Sequence, residues 1–212
     1  TAPGQVLAIK PDEGGGIGSW DARATRHALC SVMRRREEAY HETLREADSG
    51  EMEQQEAGEG AVSIHDLIKV NEPGISQRLW YDAYERRSGL VHLMAPGTSA
   101  QDFRQASFEE LGDFVSGEFA VVESGGDRVV LERDGGILRP DGVCAPVRVR
   151  KEHVFGVDRR VPTLDLRVEV TNTSDQRVEV LVGVEFNLNM LGGGGNPSAW
   201  YKVNGETGGF DQ

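Results

Sequence analysis

Between residues 178 and 190, every even-numbered position is apolar and the odd-numbered positions are largely polar. The apolar residues are Val178, Val180, Val182, Val184, Phe186, Leu188 and Met190. Only a β-strand directs alternate side chains to opposite faces, so this period of two predicts a strand, bent near Gly183 because of its length. We expect the apolar face to pack against a core and the opposite face to present Glu185, Asn187 and Asn189.

Similar patterns along the rest of the chain predict a mainly β protein. Strand-like segments, separated by glycine, proline and aspartate, are residues 6–9, 62–70, 79–84, 89–94, 119–122, 129–133 and 147–155. Residues 164–170 alternate cleanly and are followed by a turn sequence at 171–176, which predicts a hairpin with the long strand. We therefore expect a large antiparallel β-sandwich formed by residues 1–212 as a single domain.

The chain contains few helical patterns. Apolar residues at close to helical spacing predict one N-terminal helix over residues 24–46, with a charged exterior at 34–38. Ser99, with Asp102 three residues later, predicts a capped helical turn over residues 99–106. The acidic stretch at residues 48–60 predicts a disordered or mobile loop.

Composition and charge exclude several classes of partner. The 212 residues carry a formal net charge of −12, whereas nucleic-acid binding relies on lysine and arginine to neutralise phosphates. No apolar run approaches the length of a membrane span. The chain lacks an initiator methionine, which indicates a processed chain or a piece of a longer one. Cys30 and Cys144 have no metal-ligand spacing. They could form a single disulfide, but two free buried thiols in a reducing cytoplasm are the favoured interpretation.

Two types of residue have the chemistry to contact a carbohydrate. Glu185 and Asn187 can hydrogen-bond hydroxyl groups, although a polar row can equally face solvent or join two sheets. Trp80 and Tyr81, and further along the chain Trp200, offer aromatic rings that can pack against sugar C–H faces. Buried aromatic residues also dominate ordinary cores, so both interpretations of these rings stay open.

Sequence spacing gives little support to catalysis by the chain itself. No histidine lies in an HExxH or HxH motif, so we expect no metal and no cofactor. His92 or His153 together with Glu185 could form an acid–base pair, as in sandwich enzymes that act on sugar rings. Carboxylates are abundant, but sequence does not show that two converge, and a GxSxG motif is absent.

Five phrases occur in an order that resembles one known family. They are residues 34–41 (RRREEAYH), 63–66 (SIHD), 80–88 (WYDAYERRS), 109–114 (EELGDF) and 183–188 (GVEFNL). Together they resemble the C-terminal β-sandwich domain of family-57 glycoside hydrolases, the α-amylase and 4-α-glucanotransferase group. The resemblance spans most of the chain and implies a galactose-mutarotase-like sandwich.

The resemblance also implies that catalysis and support are carried by different domains. In that family a catalytic (β/α) barrel carries the nucleophile and the acid, and this chain shows no barrel pattern, so it is expected to lack the catalytic pair. Its implied partner is the catalytic barrel of the parent enzyme, and α-glucan is a candidate ligand. The family's domain is longer than this chain, which implies missing last strands, an unpaired sheet edge and a homodimer formed through that edge.

Three functional hypotheses follow. The first is an accessory, non-catalytic domain that buttresses the barrel and contacts glucan through Trp80, Tyr81, Glu185, Asn187 and Trp200. The second is a free-standing mutarotase- or epimerase-like enzyme that uses a histidine–glutamate pair. The third is a module whose only role is interdomain packing.

Overall fold

The protein is described from a computed structural model that covers residues 2–49, 74–189, 198 and 200–209. The described residues are rich in antiparallel β-strands, which confirms the mainly β prediction. The strands are β1 (Gln5–Lys10), β2 (Gly16–Ala22), β3 (His27–Cys30), β4 (Leu90–Met94), β5 (Ala120–Gly125), β6 (Arg128–Leu138), β7 (Cys144–Phe155), β8 (Leu164–Asn172), β9 (Leu181–Glu185), β10 (Trp200–Val203) and β11 (Glu206–Gly209). The helices are α1 (Tyr40–Ser49), a 3₁₀ turn (Ile75–Arg78) and α2 (Ala100–Gln105).

The chain divides into two compact units, residues 1–33 with 84–212, and residues 34–83. A single domain over residues 1–212 stays a prediction. The described part of the smaller unit consists of α1, the 3₁₀ turn and the segments beside them. There, Asp48 accepts hydrogen bonds from the backbone of Gly74 and Ser76, which ties the end of α1 to the 3₁₀ turn.

All the described strands belong to the larger unit, and they form four antiparallel sheets. β1, β2 and β3 form one sheet in that order, and β5, β6, β7 and β8 form another. β4 pairs with β9, and β10 pairs with β11. β4 lies over the four-stranded sheet, since Val91 and Leu93 join one buried cluster with Leu131 and Val149. This layering is the sandwich that the alternating patterns predict.

The four-stranded sheet has one apolar and one charged face. Every odd-numbered residue of β7 from Ala145 to Phe155 is buried, while the even-numbered residues face outward. On the outer face Arg150 lies between Glu132 and Glu169, and Glu152 lies opposite Arg167. Such cross-strand pairs of opposite charge stabilise a sheet, and they make the middle of this face charged.

The predicted hairpin of residues 164–170 with the long strand is wrong. β8 pairs with β7, whereas β9 pairs with β4 in a different sheet, so residues 173–180 connect two layers. Alternation specifies which side chains share a face, but it does not specify which strand supplies the backbone partner.

The long alternating segment also differs from its prediction in length and orientation. Only residues Leu181–Glu185 form regular strand. Val178 and Val180 pack against the core, but Val182, Val184, Phe186 and Leu188 are 43–54% exposed. On the opposite face, which was expected to be polar and accessible, Glu185 is only 5% exposed. The expectation of a fully packed apolar face is therefore wrong beyond Val180.

The helix predicted over residues 24–46 is also wrong in its first half. β3 lies within that range because Ala28 and Cys30 pair with β2, and α1 begins only at Tyr40. The segment 79–84 contains no strand. The other predicted strands match β1, β4, β5, β6, β7 and β8, and α2 carries the predicted Ser99 cap as a capping box with Asp102. Residues 50–60 of the acidic loop and the strand at 62–70 lie outside the described residues.

Candidate functional site

Glu185, at the end of β9, lies in a buried cluster of polar side chains. Its Oε1 accepts hydrogen bonds from Arg86 Nη1 at 3.1 Å and Asn187 Nδ2 at 3.2 Å. Its Oε2 accepts one from the Tyr84 hydroxyl at 3.0 Å and lies 3.1 Å from His92 Nε2. Each of the two carboxylate oxygens therefore has two partners within the protein.

His92 lies between two carboxylates. Its Nδ1 is 2.7 Å from Glu110 Oε2, and its Nε2 faces Glu185. Burial opposes protonation of this ring, but the hydrogen bonds to Glu110 and Glu185 outweigh it and raise the pKa of His92. Burial likewise opposes ionisation of Glu185, but its hydrogen bond with His92 and the charge of Arg86 hold the pKa of that carboxyl below its ordinary value. The contact between the two side chains therefore favours protonation of His92 and ionisation of Glu185.

Aromatic side chains close the cluster from water. The rings of Tyr84, Phe103 and Phe108 lie 5.3–5.6 Å from the His92 ring, centroid to centroid. The guanidinium of Arg86 lies 5.1 Å from the centroid of the Phe103 ring and donates to the Phe103 carbonyl. His92 is 0% exposed as a result.

The cluster joins several segments of the larger unit. Glu110 Oε1 also accepts a hydrogen bond of 2.7 Å from the backbone N–H of Leu93 in β4. Ser88 Oγ donates to the carbonyl of Asn187 and accepts from its backbone N–H. β4, β9, α2 and the loop before β5 thus meet at one set of hydrogen bonds. This arrangement can hold those segments together, but it leaves no lone pair of Glu185 directed at solvent.

The five residues predicted to contact carbohydrate belong to three different parts of the structure. Glu185 and Asn187 lie together in the cluster. Trp80 and Tyr81 belong to the smaller unit and Trp200 to the hairpin of β10 and β11. Carbohydrate contact by these residues stays a prediction.

In the smaller unit, Trp80 and Tyr81 are both partly buried. The guanidinium of Arg35 lies 6.0 Å from the Trp80 ring centroid, and Arg35 also forms an ion pair of 2.6 Å with Asp82. The Tyr81 hydroxyl accepts a hydrogen bond from Arg45 Nη2 at 2.8 Å. Both rings are therefore held by neighbours in the same unit.

Trp200 is the most exposed of the five. Its side chain is 61% exposed, and it lies opposite Gly209 in the two-stranded ladder. The next residue, Tyr201, lies opposite Gly208, so both rings face positions without a side chain. An aromatic ring beside a bare backbone is a flat surface of the kind that a sugar ring can stack on.

Of the two histidines considered with Glu185, only His92 contacts it. His153 is buried in β7, and neither of its ring nitrogens has a hydrogen-bond partner among the described residues. Burial and the nearby charge of Lys151 lower its pKa to about 4. Lys151 is itself 0% exposed, and its Nζ donates to the carbonyls of Gly14 and Gly89.

Sequence reasoning missed Arg86 and Glu110 as members of the cluster. Arg86 had no clear signal in the sequence, because its neighbours Glu85 and Arg87 are charged as well and no alternation singles it out. Glu110 had no signal either, because it reaches His92 from a loop.

The part of the chain that the structure describes contains neither a candidate metal site nor a membrane-spanning helix. No group of histidine, cysteine or acidic side chains there could hold a metal ion. No helix there is long and apolar enough to cross a membrane. Both cysteines are free, but only Cys30 is buried and Cys144 is exposed, which corrects the expectation of two buried thiols.

Comparisons with known proteins all identify the same family. The family model "Alpha-amylase/4-alpha-glucanotransferase, C-terminal" matches residues 3–212. The 4-alpha-glucanotransferase of Thermococcus kodakarensis is 33% identical over 182 residues, which cover 85% of this chain and 25% of that protein. The alpha-amylase of Pyrococcus abyssi is 30% identical over 183 residues, 86% of this chain and 25% of that protein.

A solved structure shows the same fold. The crystal structure of 4-alpha-glucanotransferase from Thermococcus litoralis matches 89% of this chain with a TM-score of 0.64 and 25% sequence identity. The match covers 24% of that structure. The chain thus spans about a quarter of the length of the relatives that it matches.

Proposed function

Because the chain belongs to the family of C-terminal domains of α-amylases and 4-α-glucanotransferases, we propose that it is an accessory domain without catalytic residues. Its role is to buttress the catalytic barrel of a glucan-processing enzyme. The observation that carries the proposal is the match itself, which takes in nearly the whole chain but only about a quarter of each relative.

The closed cluster around Glu185 supports a non-catalytic role. A general acid or base must come within hydrogen-bond reach of its substrate. His92 is 0% and Glu185 5% exposed, and the hydrogen bonds of both side chains go to other residues of the protein. A mutarotase- or epimerase-like enzyme built on this histidine–glutamate pair would need an opening that the aromatic residues around it fill.

Activity of separate parts of the parent enzyme tests this role. We expect the 212-residue chain, purified alone, to release no glucose or longer products from maltoheptaose or amylose, and we expect the full-length enzyme to do so. A second form of the enzyme ends just before the position of Ala2 and so lacks this C-terminal region. It should retain the catalytic residues but unfold at a lower temperature. Glucan turnover by the isolated chain, or a truncated enzyme as stable as the intact one, would contradict the proposal.

For carbohydrate contact, Trp200 is the favoured residue among the five predicted ones. Its ring is mostly exposed, whereas Glu185 is buried and the Trp80 and Tyr81 side chains are partly covered. Exposed tryptophans are frequent anchors of binding surfaces because one rigid ring supplies a large contact area. Glu185 and Asn187 then act as supports of the fold rather than as contacts to sugar.

The substitution Trp200→Ala tests the glucan contact in the full-length enzyme. We expect it to weaken binding of amylose by about tenfold, equivalent to about 1.4 kcal/mol, while kcat on a short maltooligosaccharide stays unchanged. Val203→Ala is a matched control, since Val203 lies on the same hairpin and is 58% exposed. Equal amylose affinity of the Trp200→Ala variant and the wild type would exclude this contact.

We further propose that a homodimer can form through the edge of β9. Among the described residues, β9 pairs with β4 alone, and its Val182 and Val184 are about half exposed beside Phe186 and Leu188. An open strand edge with an apolar row favours pairing with a second copy. Sedimentation equilibrium should give a dimer mass that falls to the monomer mass in Val184→Lys but not in Val143→Lys. A monomer mass for the wild type would refute this.

A further inference from the structure

An open apolar cavity lies where two sheets of the larger unit meet. It has a volume of about 230 Å³ and is bounded by Ala2, by Leu7 and Ile9 of β1, by Val121 of β5 and by Phe155 of β7. Only Ser124 contributes a polar side chain to its lining.

Two of the strands that border the cavity, β1 and β5, are edge strands. Among the described residues, β1 pairs only with β2, and β5 pairs only with β6. The entire β5 strand is exposed, and its consecutive residues Val121 and Val122 are 51% and 50% exposed. A bulge between Val121 and Glu123 interrupts the ladder at this point. Exposed edges beside apolar side chains are sites where another polypeptide segment can dock.

The position of Ala2 indicates which polypeptide occupies the cavity. Ala2 is 6% exposed and forms part of the cavity wall, so the N-terminal end of the region that matches the family lies beside the cavity. The family is a C-terminal one, and three quarters of each relative lies outside the match. The larger part of such an enzyme is therefore joined to this chain beside the cavity, at a high effective concentration.

We propose that this cavity, between β1 and β5, is the docking site for the catalytic part of the parent enzyme. Apolar side chains from the polypeptide preceding residue 1 fill it and cover Val121. The inference rests on the proposed accessory role and adds the surface through which that role is exerted. The charged outer face of the four-stranded sheet stays in solvent.

Cysteine labelling in the full-length enzyme tests the proposal. In a Cys144→Ser background, Val121→Cys and Ser124→Cys each place a thiol at the cavity, and Val143→Cys is a matched control at 55% exposure. Reaction with a polar maleimide is followed peptide by peptide by mass spectrometry. We expect both cavity cysteines to react at least about tenfold more slowly than the control, because the docked segment excludes the reagent. Using two cavity positions keeps the test decisive if one variant folds poorly.

The outcomes separate the inference from the role on which it rests. Cavity cysteines as reactive as Val143→Cys would overturn the docking site. If the enzyme truncated before Ala2 is nevertheless destabilised, the accessory role stands and the catalytic part docks elsewhere. Slow labelling at both cavity positions, with fast labelling of the control, supports the site.

Discussion

At Glu185, two carboxylate oxygens interact with four side chains, those of Tyr84, Arg86, His92 and Asn187. A carboxylate removed from water is tolerated only when charges and hydrogen bonds compensate its lost hydration. The four partners supply that compensation, and the surrounding rings of Phe103 and Phe108 make it necessary. The residue is therefore a structural centre of the larger unit.

Replacing Glu185 by leucine should strongly destabilise the chain. The change removes the carboxylate that Arg86 and His92 share, so Glu110 is the one carboxylate of the cluster that remains. Breaking a buried ion pair in this way costs about 3–5 kcal/mol. Urea denaturation of both forms measures the loss. Glu179→Leu, on the exposed side of the same segment, should stay within about 0.5 kcal/mol of the wild type. An equal loss of free energy of unfolding in the two variants would show that the buried cluster does not stabilise the fold.

The cluster should make stability depend on pH within a defined window. The raised pKa of His92 gives a stabilisation that is complete below the ordinary value of 6.5 and is lost as the pH rises through the folded-state pKa. The lowered pKa of Glu185 gives a stabilisation present above 4.5 and lost as the pH falls. The free energy of unfolding of the wild type minus that of His92→Gln should therefore be largest between pH 4.5 and 6.5.

Subtracting the free energy of unfolding of His92→Gln from that of the wild type removes the contribution of other titrating groups. His153, whose pKa is lowered to about 4, is present in both proteins, so its own acid sensitivity cancels. A difference that stays constant from pH 4 to pH 9 would mean that His92 does not change its protonation with folding.

At the scale of elements, Lys151 of β7 connects strands that are distant in sequence. Its ammonium group donates to the carbonyl of Gly14, in the turn before β2, and to that of Gly89, just before β4. It also lies 4.7 Å from the centroid of the Phe119 ring. The start of β4, which carries His92, is thus held against the four-stranded sheet by a lysine that has no carboxylate partner among the described residues.

Lys151 should make the protein more stable at alkaline pH. Burial lowers the pKa of Lys151 to about 7, whereas the unfolded chain keeps this proton up to about 10.5. Between those values the unfolded state binds more protons, so stability rises with pH. Relative to Lys151→Met, the wild type should gain free energy of unfolding from pH 7 to pH 10. Lys202→Met, at an exposed position, should follow the wild type at every pH. Parallel curves for wild type and Lys151→Met would contradict the assignment.

Alternation predicted most strands because it reports which residues share a face. β1, β4, β6, β7 and β8 follow from such patterns. Pairing did not follow, because β8 and β9 are consecutive along the chain but lie in different sheets. The candidate site could be predicted only in part: the histidine–glutamate pair was considered, but its burial depends on Phe103, Phe108 and Glu110, which long-range packing brings to it.

At the scale of the whole molecule, the described strands of the larger unit form a sandwich whose polar centre is closed and whose apolar cavity is open to solvent. The closed centre around Glu185 stabilises the fold, while the exposed surfaces at Val121, Val184 and Trp200 are available for partners. A domain that amounts to about a quarter of its relatives' length is expected to have this distribution.

The kinetics of Glu185→Gln in the full-length enzyme test the central claim of a non-catalytic supporting domain most directly. At a temperature where both proteins are folded, the account predicts a kcat within about twofold of the wild type and a lower midpoint of thermal unfolding. A general acid or base contributes roughly 100-fold or more to the rate. A fall in kcat of that size, with the unfolding midpoint unchanged, would contradict the account.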